Sequence, residues 1–285
     1  MSDLLTPASA ADLAAGGAGV RIRLLTELAD LDAVYRLFDG IWHSGAAHAP
    51  VSREMLRAMS KAGNYVAGAY DRTGMVGACV GFFAAPERRE VHSHVAGVVP
   101  AARGRDVGRA LKLHQRAWAL GHGVTRISWT FDPLVSRNAY FNVVKLGADP
   151  AQYLPDFYGP MGDAINGDDD TDRLLLHWNL AAPHVDRAAR GERRPGCEVG
   201  ALRRSGAVTA LGRTPGNEPV EGTADGRTVL IAVPADIETL RRTDPACARR
   251  WRVAVRETLG PLIDDGATVR GFDRAGWYVL DRENR

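Results

Sequence analysis

Residues 90–118 read Glu-Val-His-Ser-His-Val-Ala-Gly-Val-Val-Pro-Ala-Ala-Arg-Gly-Arg-Asp-Val-Gly-Arg-Ala-Leu-Lys-Leu-His-Gln-Arg-Ala-Trp. The first part, residues 91–99, is rich in valine and stops at Pro100, which is typical of a strand. From Val107 to Leu120 apolar residues recur at helical spacing, so we expect a helix. Its other faces carry Arg109, Lys112, Gln115 and Arg116. Between strand and helix lies a turn rich in glycine and arginine.

This order of strand, turn and helix suits the binding of an anion. The first turn of a helix leaves backbone N–H groups without intrahelical acceptors, and the helix dipole makes that end partly positive. Glycines let the backbone approach a phosphate closely, and the guanidinium groups of Arg103, Arg105 and Arg109 can pair with phosphate oxygens. The stretch favours a phosphate or pyrophosphate site. The alternative is an ordinary strand–helix connection with solvated arginines.

Residues 100–111, Pro-Ala-Ala-Arg-Gly-Arg-Asp-Val-Gly-Arg-Ala-Leu, resemble a known cofactor motif. They are similar to the acyl-CoA signature of the GNAT (Gcn5-related N-acetyltransferase) superfamily, Arg/Gln-x-x-Gly-x-Gly/Ala after a Val-x-Pro strand end. Arg103 matches the first position of the signature and Gly108 the last, whereas Asp106 replaces the middle glycine. A carboxylate is unfavourable beside a pyrophosphate unless it points away, for example as the N-cap of the helix.

The flanking segments extend the resemblance over residues 20–180. In chain order the predicted elements are a strand at 20–25, helices at 30–42 and from 52, a hairpin at 65–83, a strand at 126–131, a helix at 136–146 and a strand at 173–180. The β–α–α–β–β order before the central strand is that of the GNAT N-terminal half. The resemblance implies an α/β (mixed α+β) protein: a GNAT fold with a central, mostly antiparallel, splayed sheet flanked by helices.

The composition of the chain predicts four segments. We expect a loose N-terminal tail at 1–19, the acyltransferase domain at 20–180, a connector at 181–227 and a C-terminal α/β segment at 228–285. The connector is rich in arginine, glycine and proline, with at most a short strand near 207–211. The last segment predicts a β–α–β–β order and is small for an independent hydrophobic core. We expect it to pack on the first domain, where it shapes the acceptor cleft or a homodimer contact.

The resemblance also implies which residues would hold the cofactor. The backbone of Gly97, Val98 and Val99 would contact the pantetheine arm. The pyrophosphate would lie on the turn formed by Arg103, Gly104, Arg105, Asp106, Val107, Gly108 and Arg109. On the following helix, Ser136 and Asn138 would be further cofactor contacts. The expected co-substrate is acetyl-CoA or another acyl-CoA, and no metal is expected.

An acceptor amine is an ammonium ion at neutral pH and must lose a proton before it can attack a thioester. Histidine suits a general base because its ordinary pKa lies close to neutrality. His92 and His94 are two apart on the central strand, so both side chains project from one face. His92 is our first candidate for the base, followed by His94 and then Glu90. Water could otherwise carry the proton, and either histidine could be a structural strand residue.

The predicted helix at 136–146 raises a problem for general acid catalysis. In GNAT enzymes it usually carries a tyrosine that can protonate the leaving thiolate, and this position falls on Val143. Tyr140 lies three residues earlier, about 60° away around an α-helix, and Tyr158 in a later loop is another alternative. Both tyrosines could instead simply pack. His43 and His48 lie in the loop where GNAT enzymes often receive the acceptor.

The composition excludes several classes of protein. The 285 residues carry 36 basic and 34 acidic side chains, for a net charge of +2, so neither nucleic acid nor a membrane is an expected partner. No apolar run approaches the ~20 residues of a membrane helix. Cys79, Cys197 and Cys247 have no zinc or disulfide spacing. A cytoplasmic transferase acting on a small-molecule amine or amino acid is the expectation.

Two other functions remain open on the same fold. A sensor that binds acyl-CoA without catalysis would explain both Asp106 and Val143. A CoA-thioester decarboxylase would use the same cofactor site without an amine. The reaction of a CoA thioester with and without an amine distinguishes all three functions: transfer needs the amine, decarboxylation does not, and a sensor shows neither.

Overall fold

The computed structural model describes residues 6–42, 49–160, 169–192 and 197–282. The chain divides into two compact units, one formed by Met1–Trp129 with Trp178–Arg190, the other by Thr130–His177 with Gly191–Arg285. The elements in chain order are α1 (Pro7–Gly17), β1 (Arg21–Leu24), α2 (Leu28–Trp42), α3 (Arg53–Lys61), β2 (Tyr65–Asp71), β3 (Gly74–Phe83), β4 (Glu90–Val98), α4 (Val107–Gly121), β5 (Arg126–Phe131), α5 (Ser136–Ala139), β6 (Asp149–Leu154), β7 (Arg173–Asn179), α6 (Pro183–Ala189), α7 (Val199–Arg204), β8 (Val208–Arg213), β9 (Pro219–Glu221), β10 (Thr228–Ala232), α8 (Ile237–Thr243), α9 (Pro245–Asp264), β11 (Thr268–Asp273) and β12 (Trp277–Asp281).

Strands β1-β2-β3-β4-β5 neighbour one another in this order in a mixed sheet at the centre of the first unit. Strands β1 to β4 are antiparallel to their neighbours, and β4 runs parallel to β5. Helix α4 covers one face, where Val107 and Leu111 pack in the same cluster as Ala67. Helices α2 and α3 cover the other face, where Phe38 and Leu56 pack in one cluster with Ala78, Val80 and Val95.

The second unit contains a second mixed sheet. Its strand order is β11-β12-β10-β8-β9, in which β8 and β10 are parallel and the other pairs antiparallel. Strand β6 pairs antiparallel with the first part of β7. Trp251 and Val255 of α9 are fully buried, as are Leu230 and Tyr278 of the sheet. The two mixed sheets with flanking helices confirm the predicted α/β fold class.

The secondary structure predicted for two of the four segments is wrong. Residues 7–17 form α1 rather than a loose tail: Thr6 caps it by accepting a hydrogen bond from the Ser9 amide at 3.1 Å, and Pro7 occupies its first turn. Thr-Pro before an alanine-rich run is a helix start that the sequence already contained. The expected connector at 181–227 contains α6, α7, β8 and β9, with β8 at the place of the expected short strand. The structure does not test whether the chain folds as separate domains with boundaries at 180 and 228, so these boundaries stay a prediction.

The predicted helix at 136–146 changes its winding halfway. α5 ends at Ala139, and Tyr140–Lys145 continues as a π-helix, with the Leu146 amide bonded to the Phe141 carbonyl at 3.0 Å. The wider turn changes the direction of each later side chain. The angle predicted between Tyr140 and Val143 from α-helical geometry is therefore wrong.

Candidate functional site

Strand β4 contains a β-bulge and then separates from β5. Val80 of β3 pairs with Val95 but Gly81 pairs with Ser93, so His94 is an extra residue without a partner in this ladder. Such a bulge bends a strand and redirects its side chains. The parallel ladder to β5 consists of three pairs and ends at His92↔Ser128. Beyond His92, β4 thus presents its backbone toward β5 without a β-ladder, as the predicted splay requires.

Gly97 allows a helix to approach this free part of β4 closely. A Cβ atom at position 97 would lie 2.7 Å from Ile41 Cδ1 and 3.0 Å from the Trp42 ring. The end of α2 therefore rests directly on the strand at one of the residues predicted to contact the pantetheine arm. Any larger residue would displace α2 or bend β4 at that point.

The two histidines of β4 lie near one another, as predicted. The ring centroids of His92 and His94 are 6.3 Å apart, and Phe82 of β3 lies within 5.9 Å of both. Burial, followed by the nearby His94 and Lys112, lowers the pKa of His92 to about 4. The imidazole of His92 is therefore neutral around pH 7, and it is a weaker proton acceptor than an ordinary histidine, whose pKa lies closer to neutrality.

His94 is exposed and makes one hydrogen bond that fixes its tautomer. Its Nε2 lies 2.9 Å from the carbonyl oxygen of Pro50. A carbonyl oxygen only accepts, so Nε2 carries the hydrogen and donates it. In the neutral ring the lone pair is then on Nδ1, which is a second available proton acceptor.

Glu90, the third candidate for the base, is held in an ion pair. Its carboxylate is buried and accepts hydrogen bonds from Nε and Nη2 of Arg126 at 2.7 and 2.6 Å. Arg126 is the residue directly opposite Glu90 in the β4–β5 ladder. This pair ties the paired ends of the two strands together, which argues for a structural rather than a catalytic role.

The turn from Arg103 to Arg109, predicted to hold the pyrophosphate, contains two residues with positive φ. Gly104 has φ = +81° and Asp106 φ = +60°, the left-handed region in which glycine and, less often, aspartate are found. Asp106 stands at the N-cap position of α4 but makes no side-chain cap hydrogen bond. The suggested N-cap position is thus where Asp106 lies, although its side chain does not cap the helix. The left-handed backbone explains why the family signature has a glycine at this position and why an aspartate can replace it.

The three arginines of this turn have different surroundings. Arg105 pairs with Asp71 at 2.8 Å and donates to the carbonyls of Ala18 and Gly19. Arg109 donates to Ala188 and Ala189 at the end of α6, at 3.0 and 2.8 Å. Arg103 is exposed and has no ion-pair partner within the described ranges. Of the three, Arg103 is thus the guanidinium best placed to meet a phosphate.

Sequence reasoning missed a buried lysine next to this strand. Lys112 of α4 is 4% exposed; its Nζ donates to Ser93 Oγ at 2.9 Å and to Gln115 Oε1 at 3.1 Å. The same Nζ lies 3.6 Å from the ring centroid of Trp129 on β5. Burial lowers the pKa of Lys112 to about 8. Apolar periodicity placed Lys112 on one of the other faces of the helix and gave no sign that this face is buried.

The other predicted site residues lie in the second unit. Ser136 and Asn138 are half-buried on α5, and between them Arg137 forms a two-fold ion pair with Glu238. The guanidinium of Arg274 lies 4.9 Å above the ring of Tyr140, whereas Val143 is fully buried. The Tyr158 hydroxyl lies 3.0 Å from Thr130 Oγ1 at the end of β5. Their roles stay predictions, and His43 and His48 lie outside the described residues.

No protein-family model matches the chain, and no curated protein matches it. Solved structures similar to it include the ribosomal-protein-S18-alanine N-acetyltransferase of Escherichia coli, with 16% identity over 57% of this chain and 95% of that one, TM-score 0.47. An N-acetyltransferase from Staphylococcus aureus shares 16% identity over 56% and 98%, TM-score 0.47. A GNAT-superfamily phosphinothricin acetyltransferase from Sinorhizobium meliloti, in complex with AcCoA, shares 14% identity over 56% of this chain and 87% of that one, with a TM-score of 0.46.

Within the described residues no helix is long and apolar enough to cross a membrane. The elements of this chain from β1 to β5 follow the order that the resemblance to the GNAT superfamily predicted.

Proposed function

We propose that this protein is an acyl-CoA-dependent N-acyltransferase that moves the acyl group of a CoA thioester to the amine of a small molecule. The observation that carries this proposal is the bulged strand β4, which leaves its ladder with β5 at His92 and leads directly into the left-handed turn at the N-terminus of α4. Free strand edge and free helix amides together form a site for an extended arm that ends in phosphates.

In the proposed site the turn would hold the pyrophosphate of CoA. The amides of Val107, Gly108 and Arg109 lie in the first turn of α4, where backbone N–H groups have no intrahelical acceptor. Arg103 would add a solvent-facing guanidinium, while Arg105 and Arg109 hold the turn in place through Asp71 and through α6. The backbone of Gly97, Val98 and Val99 would bind the pantetheine arm along β4.

For the chemical step we propose direct attack of the amine on the thioester carbonyl. His92 or His94 would remove one proton from the ammonium, the new C–N bond would form, the C–S bond would break with CoA leaving as the thiolate, and the nitrogen would lose its second proton to the thiolate or to water. His94 can accept a proton through Nδ1, whereas burial makes His92 neutral but a weaker base than an ordinary histidine. Glu90 is a poor alternative because its carboxylate is occupied by Arg126. A general acid such as Tyr140 is not essential, since a thiolate is a good leaving group.

The proposal is tested first by ligand binding. Thermal stabilisation by CoA, acetyl-CoA and succinyl-CoA is compared between the wild-type protein and Gly108→Trp, which would fill the proposed cradle. The matched control is Gly121→Trp at the other end of α4, where an added Cβ meets nothing within 4 Å. We expect stabilisation in the wild type and the control, and its loss in Gly108→Trp. No stabilisation of the wild type at millimolar ligand would overturn the proposal.

The reaction is then tested by the release of CoA. Transfer requires an amine, a decarboxylase releases carbon dioxide from a malonyl thioester without one, and a sensor shows neither reaction. If the rate with an active amine falls by less than about tenfold in both His92→Gln and His94→Gln, neither histidine is the base, since a positioned base contributes at least a hundredfold.

A further inference from the structure

Lys112 occupies an unusual environment in the first unit. The chain contains 33 arginines but only three lysines, Lys61, Lys112 and Lys145, and Lys112 is almost fully buried. Its ammonium group is enclosed by Ser93 of β4, by Gln115 one turn along α4 and by the rings of Trp129 and Trp178, whose centroids are 3.6 and 5.7 Å away. Within the described ranges no carboxylate pairs with it. A buried charge without a counter-ion destabilises the folded protein.

The group around Lys112 has more hydrogen-bond donors than acceptors. The ammonium carries three hydrogens, the Ser93 hydroxyl carries one and the Gln115 amide carries two. The acceptors of the group are Ser93 Oγ, Gln115 Oε1 and the Cys79 sulfur, a weak acceptor that lies 3.8 Å from Ser93 Oγ. Gln115 is fully buried, and its Nε2 has no hydrogen-bond partner among the residues that the structure describes. The contact to Lys112 fixes this amide orientation, because a flipped amide would turn its NH₂ toward the ammonium. A buried amide donor without an acceptor therefore lies next to a buried ammonium without a paired carboxylate, which a native structure rarely tolerates.

This donor group lies where β4 and β5 begin to separate. The last pair of the β4–β5 ladder is His92↔Ser128. Ser93 is the next residue of β4, and Trp129 is the next residue of β5. Lys112 bridges these two residues from α4. A thioester bound along Gly97–Val99 would point its acyl group toward this end of the gap. Four residues separate Gly97 from Ser93, about 13 Å along a strand, so an acyl group longer than acetyl is needed to approach Lys112.

We propose that Lys112, Ser93 and Gln115 form a subsite for a carboxylate at the closed end of the gap between β4 and β5, and that the preferred donor is the CoA thioester of a dicarboxylic acid. This inference rests on the proposed acyl-CoA site. The carboxylate would supply the missing counter-charge and accept from Nζ of Lys112, Nε2 of Gln115 and the Ser93 hydroxyl. Hydrogen bonds that involve charged groups are about twice as strong as neutral ones, so the acyl end would contribute to selectivity.

The test compares thioesters of equal length with and without the terminal carboxylate. Affinities of CoA, butyryl-CoA, succinyl-CoA, pentanoyl-CoA and glutaryl-CoA are measured by calorimetry at fixed ionic strength. We expect the wild-type protein to bind at least one dicarboxylic thioester about tenfold or more tightly than its neutral counterpart. In Lys112→Met we expect that preference to disappear while the affinity for CoA changes less than about twofold. Methionine keeps an unbranched side chain of similar length that can pack on Trp129, so this variant should fold.

Gln115→Glu provides a second, nearly isosteric variant. It places a carboxylate beside Lys112, so the preference for dicarboxylic thioesters should again be lost. Lys61→Met, which removes an exposed lysine of α3, serves as the matched control and should keep the preference. If CoA binds but the wild type does not distinguish the paired thioesters, or if either subsite variant keeps the preference, the subsite is wrong and the acyltransferase proposal stands. If CoA itself does not bind, the proposed function fails and the subsite with it.

Discussion

The carboxylate of Asp132 and the guanidinium of Arg252, 120 residues apart in the chain, form a buried pair joined by two hydrogen bonds of 2.9 Å. Asp132 follows β5 directly, and Arg252 lies in the middle of α9. Arg241 and Asp169 complete the group, at 2.6 Å from Asp132 and 2.9 Å from Arg252. Burial opposes ionisation of Asp132, but the two arginines outweigh it and hold its pKa well below the usual range. In the second unit this group fixes the segment after β5 to α9.

We expect Arg252→Ala to destabilise the protein by about 3–5 kcal/mol, because it leaves two buried carboxylates without their main partner. Urea unfolding at pH 7 measures the change. Arg250→Ala is the control two residues earlier: its pair with Glu218 is exposed, so its unfolding midpoint should hardly move. Equal effects of the two substitutions would contradict the structural role of the buried pair.

The lowered pKa of His92 predicts how stability depends on pH. The pKa of His92 is about 4 in the folded protein and about 6.5 in an unfolded chain. Above pH 6.5 neither state carries the proton, so His92 contributes nothing. Between pH 6.5 and 4 only the unfolded state binds it, so the free energy of unfolding falls as the pH is lowered. When the pH is lowered from 7 to 5, the wild-type protein should lose free energy of unfolding through His92, and His92→Gln should not. We therefore expect the loss in the variant to be smaller by roughly 1–2 kcal/mol. Parallel pH curves for both proteins would show that His92 titrates normally.

The left-handed backbone at Asp106 predicts that a glycine at this position improves cofactor binding. Asp106→Gly relieves the φ of +60° and removes a negative charge from the proposed pyrophosphate site. We expect CoA to bind about fivefold more tightly, corresponding to about 1 kcal/mol for one screened charge at close range. Asp106→Asn separates the two effects, since it removes the charge and keeps the side chain. Unchanged CoA affinity in both variants would place the pyrophosphate elsewhere.

Helix α1 predicts that the start of the chain contributes to stability. Helix α1 contacts α4; within it Ala11 is 3% exposed, whereas Leu13 is 65% exposed. Ala11→Asp should lower the free energy of unfolding by roughly 2–3 kcal/mol, because it buries an unpaired carboxylate. Leu13→Asp should change it little, and thermal unfolding of the two variants makes the comparison. Similar behaviour of both would mean that α1 does not dock.

Much of the first unit could be predicted from local patterns. Alternation of apolar and basic residues indicated β1, valine-rich or apolar runs that end at a proline indicated β4 and β5, helical spacing indicated α2 to α4, and the turn at Asp71–Gly74 indicated the β2–β3 hairpin. The strand–turn–helix order at 90–118 also placed the proposed phosphate turn at the N-terminus of α4. These features depend on residues close in sequence, for which the chain itself carries the signal.

Other features could not be predicted because they depend on contacts between distant residues. Helical periodicity shows that Lys112, Gln115 and Arg116 lie away from the apolar stripe, but not that strands and α6 cover them too. Arg116, for example, donates to the Leu180 carbonyl at 2.7 Å. The partners of Arg105 and Arg109 and the π-helical winding after Ala139 are likewise set by tertiary packing.

The sequence by itself determined the type of fold and the position of the proposed cofactor turn, because Pro100, Gly104 and the apolar residues of α4 act through local backbone preferences. Only the tertiary structure decided which polar groups are buried and which remain available. It placed Glu90 in a structural ion pair, lowered the pKa of His92 and put the ammonium of Lys112 next to Ser93 at the end of the β4–β5 ladder. The physical reason is that desolvation and pairing of charges arise from the neighbours that folding brings together, and these neighbours come from four different strands and helices.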